Sequence, residues 1–179
     1  MITLYPPQIA NELEGYFIFL DTGVFITASK SESFVRLLAG MRRRAGCSFS
    51  TINPVLFEYT RGSETLAAYN KRVEFLKSLV DYIDPTRFLE SMPDFNVVMA
   101  KVNSQNKSQT DFQLAACLYN YSHSKVALLT GDFKALPSFF PRTHVITVVQ
   151  DKTQDIRNLG VYQFDRAGYA QAAQNALGD

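Results

Sequence analysis

Four carboxylates in this chain sit where a sheet-and-helix protein can use them for chemistry: Asp21, Glu58, Asp111 and Asp132. Asp21 ends the apolar run 16–20, and Asp132 follows the run 126–129 by way of Thr130 and Gly131. In open α/β sheets, ligands bind beyond the carboxyl ends of the strands, where the winding direction changes. Each acid also has a plain structural account. Turns favour Asp on local grounds, because its side chain bonds nearby N–H groups. Glu58 stands among apolar neighbours in Pro54-Val55-Leu56-Phe57-Glu58-Tyr59, so it either pairs with Arg61 on a solvated edge or is partly buried and needs a partner or a metal. Ser108-Gln109-Thr110-Asp111 has capping-box spacing, and an acid in a first helical turn favours the helix dipole. A helix start can also aim its carboxylate into a cleft.

Should the four converge, the chemistry follows from charge. Hard Mg²⁺ or Mn²⁺ prefers oxygen ligands, and clustered carboxylates repel one another without cations. Paired metals about 4 Å apart can activate a water and stabilise the leaving oxygen of an in-line displacement. Asp21, Glu58, Asp111 and Asp132 are the expected ligands, direct or through water. Thr130, at the same strand end as Asp132, could orient a water or one of the carboxylates.

Positioning these groups requires strands that alternate with helices. The segments 16–20, 48–52, 126–129 and 144–149 read as four strands, and continuous apolar runs rather than alternating ones indicate strands covered on both faces, as in a parallel sheet. Phe34, Leu37, Leu38 and Met41 mark one face of a helix that Gly46 stops. A second helix opens at Asn53-Pro54, with Asn as cap, carries Glu58 and ends near Gly62; a longer one starts at Ser63. Further helices are expected around 95–102, from Asp111 to about Tyr121, and from Gly168 to Leu177. The alternation predicts an α/β sandwich with a mainly parallel sheet.

Composition narrows the class further. A chain of 179 residues with 46% hydrophobic and 20% charged residues suits one globular domain and argues against disorder. The division expected is an N-terminal extension over 1–15, the main domain over 16–150, and a C-terminal extension over 151–179 whose last helix packs on the domain or a partner. A net charge of +1 leaves nucleic-acid affinity to local clusters. Arg61, Lys107 and Lys134, close in sequence to the acids, are the candidates for contacting a nucleic-acid backbone. The run Arg42-Arg43-Arg44 fits the last turn of a helix, where cations complement the dipole. No apolar run reaches the roughly 18 residues that span a bilayer. The start of the chain lacks secretory-signal features, and Cys47 and Cys117 form no metal-ligand spacing, so a cytoplasmic location is expected.

The series Phe17-Ile18-Phe19-Leu20-Asp21-Thr22, Asn53-Pro54-Val55-Leu56-Phe57-Glu58, Thr110-Asp111 with Leu114-Ala115-Ala116, and Leu128-Leu129-Thr130-Gly131-Asp132-Phe133 resembles the PIN-domain ribonucleases in order, element type and rough spacing. The resemblance covers about residues 16–150. It implies a Rossmann-like three-layer sandwich with a mainly parallel central sheet. It also implies acids converging on one or two Mg²⁺ or Mn²⁺ ions, and hydrolysis of RNA phosphodiester bonds. Small members are toxins of bacterial toxin–antitoxin pairs, so an RNA substrate and a small antitoxin protein are the partners implied. A homodimer is also compatible, and no membrane is expected.

Two positions depart from the pattern. Gly23 stands where members often carry Asn or Ser, and Lys134 where many carry another acid. Both favour the alternative reading, a catalytically weak or inactive PIN-fold module that binds RNA or protein. A HAD-like phosphatase, suggested by Thr130-Gly131-Asp132, fails because that chemistry needs Asp-x-Asp after the first strand.

Overall fold

Strands that are apolar on both faces need cover on both sides, and they occupy the middle of the sheet here. The computed structural model describes residues 2–102, 108–134, 136–149 and 155–178. In chain order its strands are Ile2–Leu4 (β1), Phe17–Leu20 (β2), Ser48–Ile52 (β3), Tyr82–Asp84 (β4), Val126–Thr130 (β5), Arg142–Val149 (β6) and Ile156–Tyr162 (β7). The α-helices are Ile9–Glu12 (α1), Thr22–Ala28 (α2), Glu32–Ala45 (α3), Asn53–Thr60 (α4), Leu66–Leu79 (α5), Pro93–Val102 (α6), Gln109–Asn120 (α7) and Arg166–Leu177 (α8). A 3-10 turn, Arg87–Ser91, precedes α6.

The strands form one sheet in the order β1-β6-β7-β5-β2-β3-β4. β5, β2, β3 and β4 run parallel, whereas β7, β6 and β1 pair antiparallel. The protein is therefore α/β with a mixed sheet, and the expected mainly parallel character holds only for the half that contains β2. The physical reason is the connection between β6 and β7. Antiparallel neighbours need no crossover helix, so this pair can extend the sheet beside β5 without one.

From β2 the chain works outward through β3 to β4, then returns to the other side of β2 at β5. The winding direction thus reverses between β2 and β5. Their register sets Leu20 opposite Leu129, and the Asp21 N–H donates to the Leu129 carbonyl at 3.1 Å. Asp21 and Thr130 consequently emerge side by side at the switch point, above a floor of Ile18, Phe19, Leu20 and Leu128, all buried.

Local signals shift several boundaries. Gly46 ends α3 in the left-handed region at φ 62°, where a residue without Cβ is unstrained, and Ser31 caps the start. Asn53 is the first residue of α4 rather than its cap, with Pro54 in the first turn. α5 starts at Leu66 behind a Thr65 cap, because the Ser63 hydroxyl donates instead to the Thr60 carbonyl at 2.8 Å. The two segments expected to be extensions carry sheet strands: β1 pairs with β6, and β7 lies between β6 and β5. Ile9 and Leu13 of the N-terminal segment are fully buried, and His144 on β6 bonds Glu12. Among the described residues, no helix is long and apolar enough to cross a membrane.

This packing yields a test. Leu13→Ala should destabilise the protein by roughly 2–4 kcal/mol in denaturant unfolding, the cost of a cavity in a close-packed core. A change within about 0.5 kcal/mol, as for a surface site, would mean that the N-terminal segment is an appendage.

Candidate active site

Asp21 is the group around which the other polar side chains are arranged. As the N-cap of α2 it accepts the Thr22 N–H on Oδ1 at 2.6 Å. Its Oδ2 accepts the hydroxyl of Thr130, at the end of β5, also at 2.6 Å. Thr130 is buried, and its Oγ1 in turn accepts the Asp132 N–H at 3.0 Å. The hydroxyl therefore ties the Asp21 carboxylate to the turn after β5.

Glu58 projects from α4, the helix that follows β3. Its Oε2 accepts the Thr22 hydroxyl at 2.7 Å, and its Oε1 accepts the hydroxyl of Thr110 in the first turn of α7. Glu58 is half-buried and bonds these two threonines rather than Arg61. One carboxylate thus connects the start of α2 to the start of α7. Asp111 follows Thr110 and completes a capping box: its Oδ2 accepts the Ser108 N–H at 3.0 Å and the Ser108 hydroxyl at 2.9 Å.

These placements act on Asp21 electrically. Burial pushes its pKa up from 3.8 to about 6. The bonds from Thr130 and Thr22 oppose that rise, and the like charges of Asp111 and Glu58 add to it. Asp21, Glu58 and Asp111 come from three separate segments and still form one electrostatic group.

Asp132 is placed differently. It is exposed, and its Oδ1 accepts the Lys134 N–H at 2.8 Å, the local turn bond that Asp favours. It nevertheless lines, with Asp21, Gly23 and Gly131, a cleft of about 570 Å³. Among the described residues, no three of the His, Cys, Asp and Glu side chains are gathered as ligands for one ion. The expected set of four ligands is therefore not assembled here: Asp111 is turned toward Ser108, and Asp132 toward the backbone of Lys134.

The remaining expected positions scatter. Arg61 is exposed beside a different depression, with Phe57 and Tyr69. Lys134 is exposed next to Asp132, and Lys107 lies outside the described residues. At Gly23 there is room for a side chain, since an added Cβ would meet only the Gly131 nitrogen, at 3.8 Å.

In donor chemistry the group suits a hard divalent cation: carboxylate and hydroxyl oxygens surround a desolvated acid on which two like charges bear. Asp84, which ends β4 and is buried, shows the same hydrogen-bond pattern as Asp21: its two oxygens accept the Thr86 N–H and the Tyr121 hydroxyl, each at 2.6 Å. Thr22 and Thr110 escaped the sequence reading as site residues. Their signal was present in the doublets Asp21-Thr22 and Thr110-Asp111, where each threonine adjoins an acid but serves Glu58. No protein-family model matches the chain, and no curated protein matches it.

A pH experiment follows. With its folded-state pKa raised to about 6, Asp21 keeps its proton in the folded protein where the unfolded chain has already lost it. Its contribution is fully present below pH 3.8 and is lost as pH rises through about 6. The loss amounts to about 3 kcal/mol. Asp21→Asn should abolish that part of the pH dependence, and at pH 7.5 it should raise the melting temperature by up to roughly 6–12 °C. Parallel pH profiles for the two proteins would show that Asp21 titrates normally.

Proposed function

We propose that this chain is a divalent-metal-dependent endoribonuclease of the PIN-domain kind, a Rossmann-like three-layer protein working at the switch point between β2 and β5. The observation that carries the reading is the electrostatic coupling of Asp21 to Glu58 and Asp111, two carboxylates from distant segments whose like charges bear on one desolvated acid. Asp84 accepts the same pair of donors, an N–H and a hydroxyl, so what marks Asp21 is the pair of like charges that bear on it.

In this proposal Asp21, Glu58 and Asp111 would hold one or two Mg²⁺ or Mn²⁺ ions, with Asp132 as a further ligand, direct or through water. The bound metal supplies an activated water and charge stabilisation for the leaving oxygen. The chain's own residues set the stage. Thr130 fixes the orientation of Asp21, while Thr22 and Thr110 lock both oxygens of Glu58 in place. Asp111 would join them on releasing the Ser108 N–H and hydroxyl from its Oδ2, a local exchange within one helical turn. The cleft beside Asp21 and Asp132 receives the RNA strand. A cytoplasmic toxin restrained by a small antitoxin protein is the setting proposed for this activity.

The second reading is a fold retained for binding alone. It is favoured by the caps that occupy Asp111 and Asp132, and by Gly23 and Lys134.

Cleavage assays separate the two. Wild-type protein should cut single-stranded RNA with added Mn²⁺ or Mg²⁺ and stop with chelator, and Asp21→Asn should be inactive. Thr110→Val, which frees one Glu58 oxygen without removing a carboxylate, should slow cleavage on the order of 10- to 100-fold, as loss of a ligand's supporting partner does. Wild-type protein that is inert on RNA at all metal concentrations, or variants that cut as well as wild type, would remove the nuclease reading.

A further inference from the structure

The cleft beside Asp21 has an aromatic wall whose construction the carboxylate chemistry does not require. Phe133 follows Asp132 directly, lines the cleft, and remains 36% exposed. Its ring is not loose. The Arg142 guanidinium lies over it at 4.7 Å from the ring centre, and Arg142 pairs with Tyr162 in the register of β6 and β7. Gly160, opposite Thr130 in the register of β5 and β7, makes room for this stack. A Cβ added there would lie 2.6 Å from Tyr162, 3.0 Å from Phe133 and 3.1 Å from Arg142. An aromatic ring is thus braced against a cation at the edge of the acidic group and still open to the cleft.

The same cleft contains Arg157, exposed and with no carboxylate partner among the described residues, and two more exposed apolar side chains, Ile26 and Ile156. A braced aromatic face, flanking apolar surface and a guanidinium without a carboxylate partner among the described residues match the parts of a single unpaired nucleotide. The base takes the ring and the apolar surface, and the phosphate takes the cation. Duplex bases present no free face to such a ring, because they are already stacked on their neighbours. A protein partner would also cover the apolar groups, but it has no need of a ring held beside the carboxylates.

We propose that Phe133 is a stacking platform for an unpaired base next to the carboxylates, with Arg157 receiving a flanking phosphate, so that the cleft selects single-stranded nucleic acid. This deepens the nuclease reading and rests on it for placing the strand at the acids, yet binding can be measured without cleavage.

The test uses the full chain carrying Asp21→Asn and a fluorescent single-stranded oligoribonucleotide in Mg²⁺ buffer, with the DNA strand and the RNA duplex of the same sequence as further arms. Phe133→Ala should weaken single-strand binding by roughly 5- to 100-fold, whereas Phe133→Tyr should stay within about twofold of the parent. Arg157→Gln should lower the dependence of log affinity on log salt by about one. DNA and RNA strands should respond alike, and the duplex should be indifferent to Phe133. Equal losses on duplex and single strand, no loss with Phe133→Ala, or no single-strand binding by the parent would each overturn the proposal. Protein that binds in this pattern while wild type cuts no RNA would overturn the nuclease reading and leave the stacking platform standing.

Discussion

A carboxylate taken out of water at the point where a sheet reverses its winding needs compensation, and Asp21 receives only part of it. Two short hydrogen bonds, from Thr22 and Thr130, favour its charge, while burial and two neighbouring carboxylates oppose it. The parallel pairing of β2 with β5 is what makes this tension unavoidable. It sets the two strand ends side by side, so whatever follows Leu20 and Leu129 must share one small volume. α2 and α4 then deliver Thr22 and Glu58 to the same place, and the start of α7 delivers Thr110 and Asp111.

Threonines carry the connections within that volume. Three hydroxyls, on Thr22, Thr110 and Thr130, each donate to a carboxylate of a different segment, so hydroxyls link the acids across segments. A salt bridge would neutralise the group; a hydroxyl orients it and leaves its charge in place. Asp84, at the end of β4 in the same sheet, is held by the same kinds of donor, and what marks Asp21 is the like charge that Glu58 and Asp111 bring to it. Asp111 is thus a helix cap and a member of the group at once: the capping box fixes its position, and its charge acts on Asp21.

The central strands and the acids at their ends were legible in the sequence because unbroken apolar runs and the turn residues after them are local signals. The residues read as a strand at 48–52 form β3 without a shift. The short edge strands β1 and β4 span three residues each, too few for a period to register. β7 begins with exposed residues and carries Gly160, which weakens any strand signal, so its place between β6 and β5 and the mixed character of the sheet emerge only from pairing. At the site, Asp21, Glu58, Asp111 and Asp132 were visible as residue types, but their partners were not. The bond from Thr110 to Glu58 joins residues 52 apart, and that from Thr130 to Asp21 joins residues 109 apart. The outward turn of Asp132 depends on a backbone N–H two residues away, which is local but competes with a tertiary role that sequence alone does not weigh.

The ionisation of Asp21 is the most direct test of this picture. A carbon-detected NMR titration of the Asp21 side-chain carboxyl, with and without Mg²⁺, reports the charge balance at the switch point without reference to any substrate. The account predicts an apparent pKa near 6 in metal-free protein. Saturating Mg²⁺ should lower it, because the cation favours the charged form. A metal-free pKa near the ordinary 3.8, unmoved by Mg²⁺, would contradict both the crowding of carboxylates around Asp21 and its use as a metal ligand.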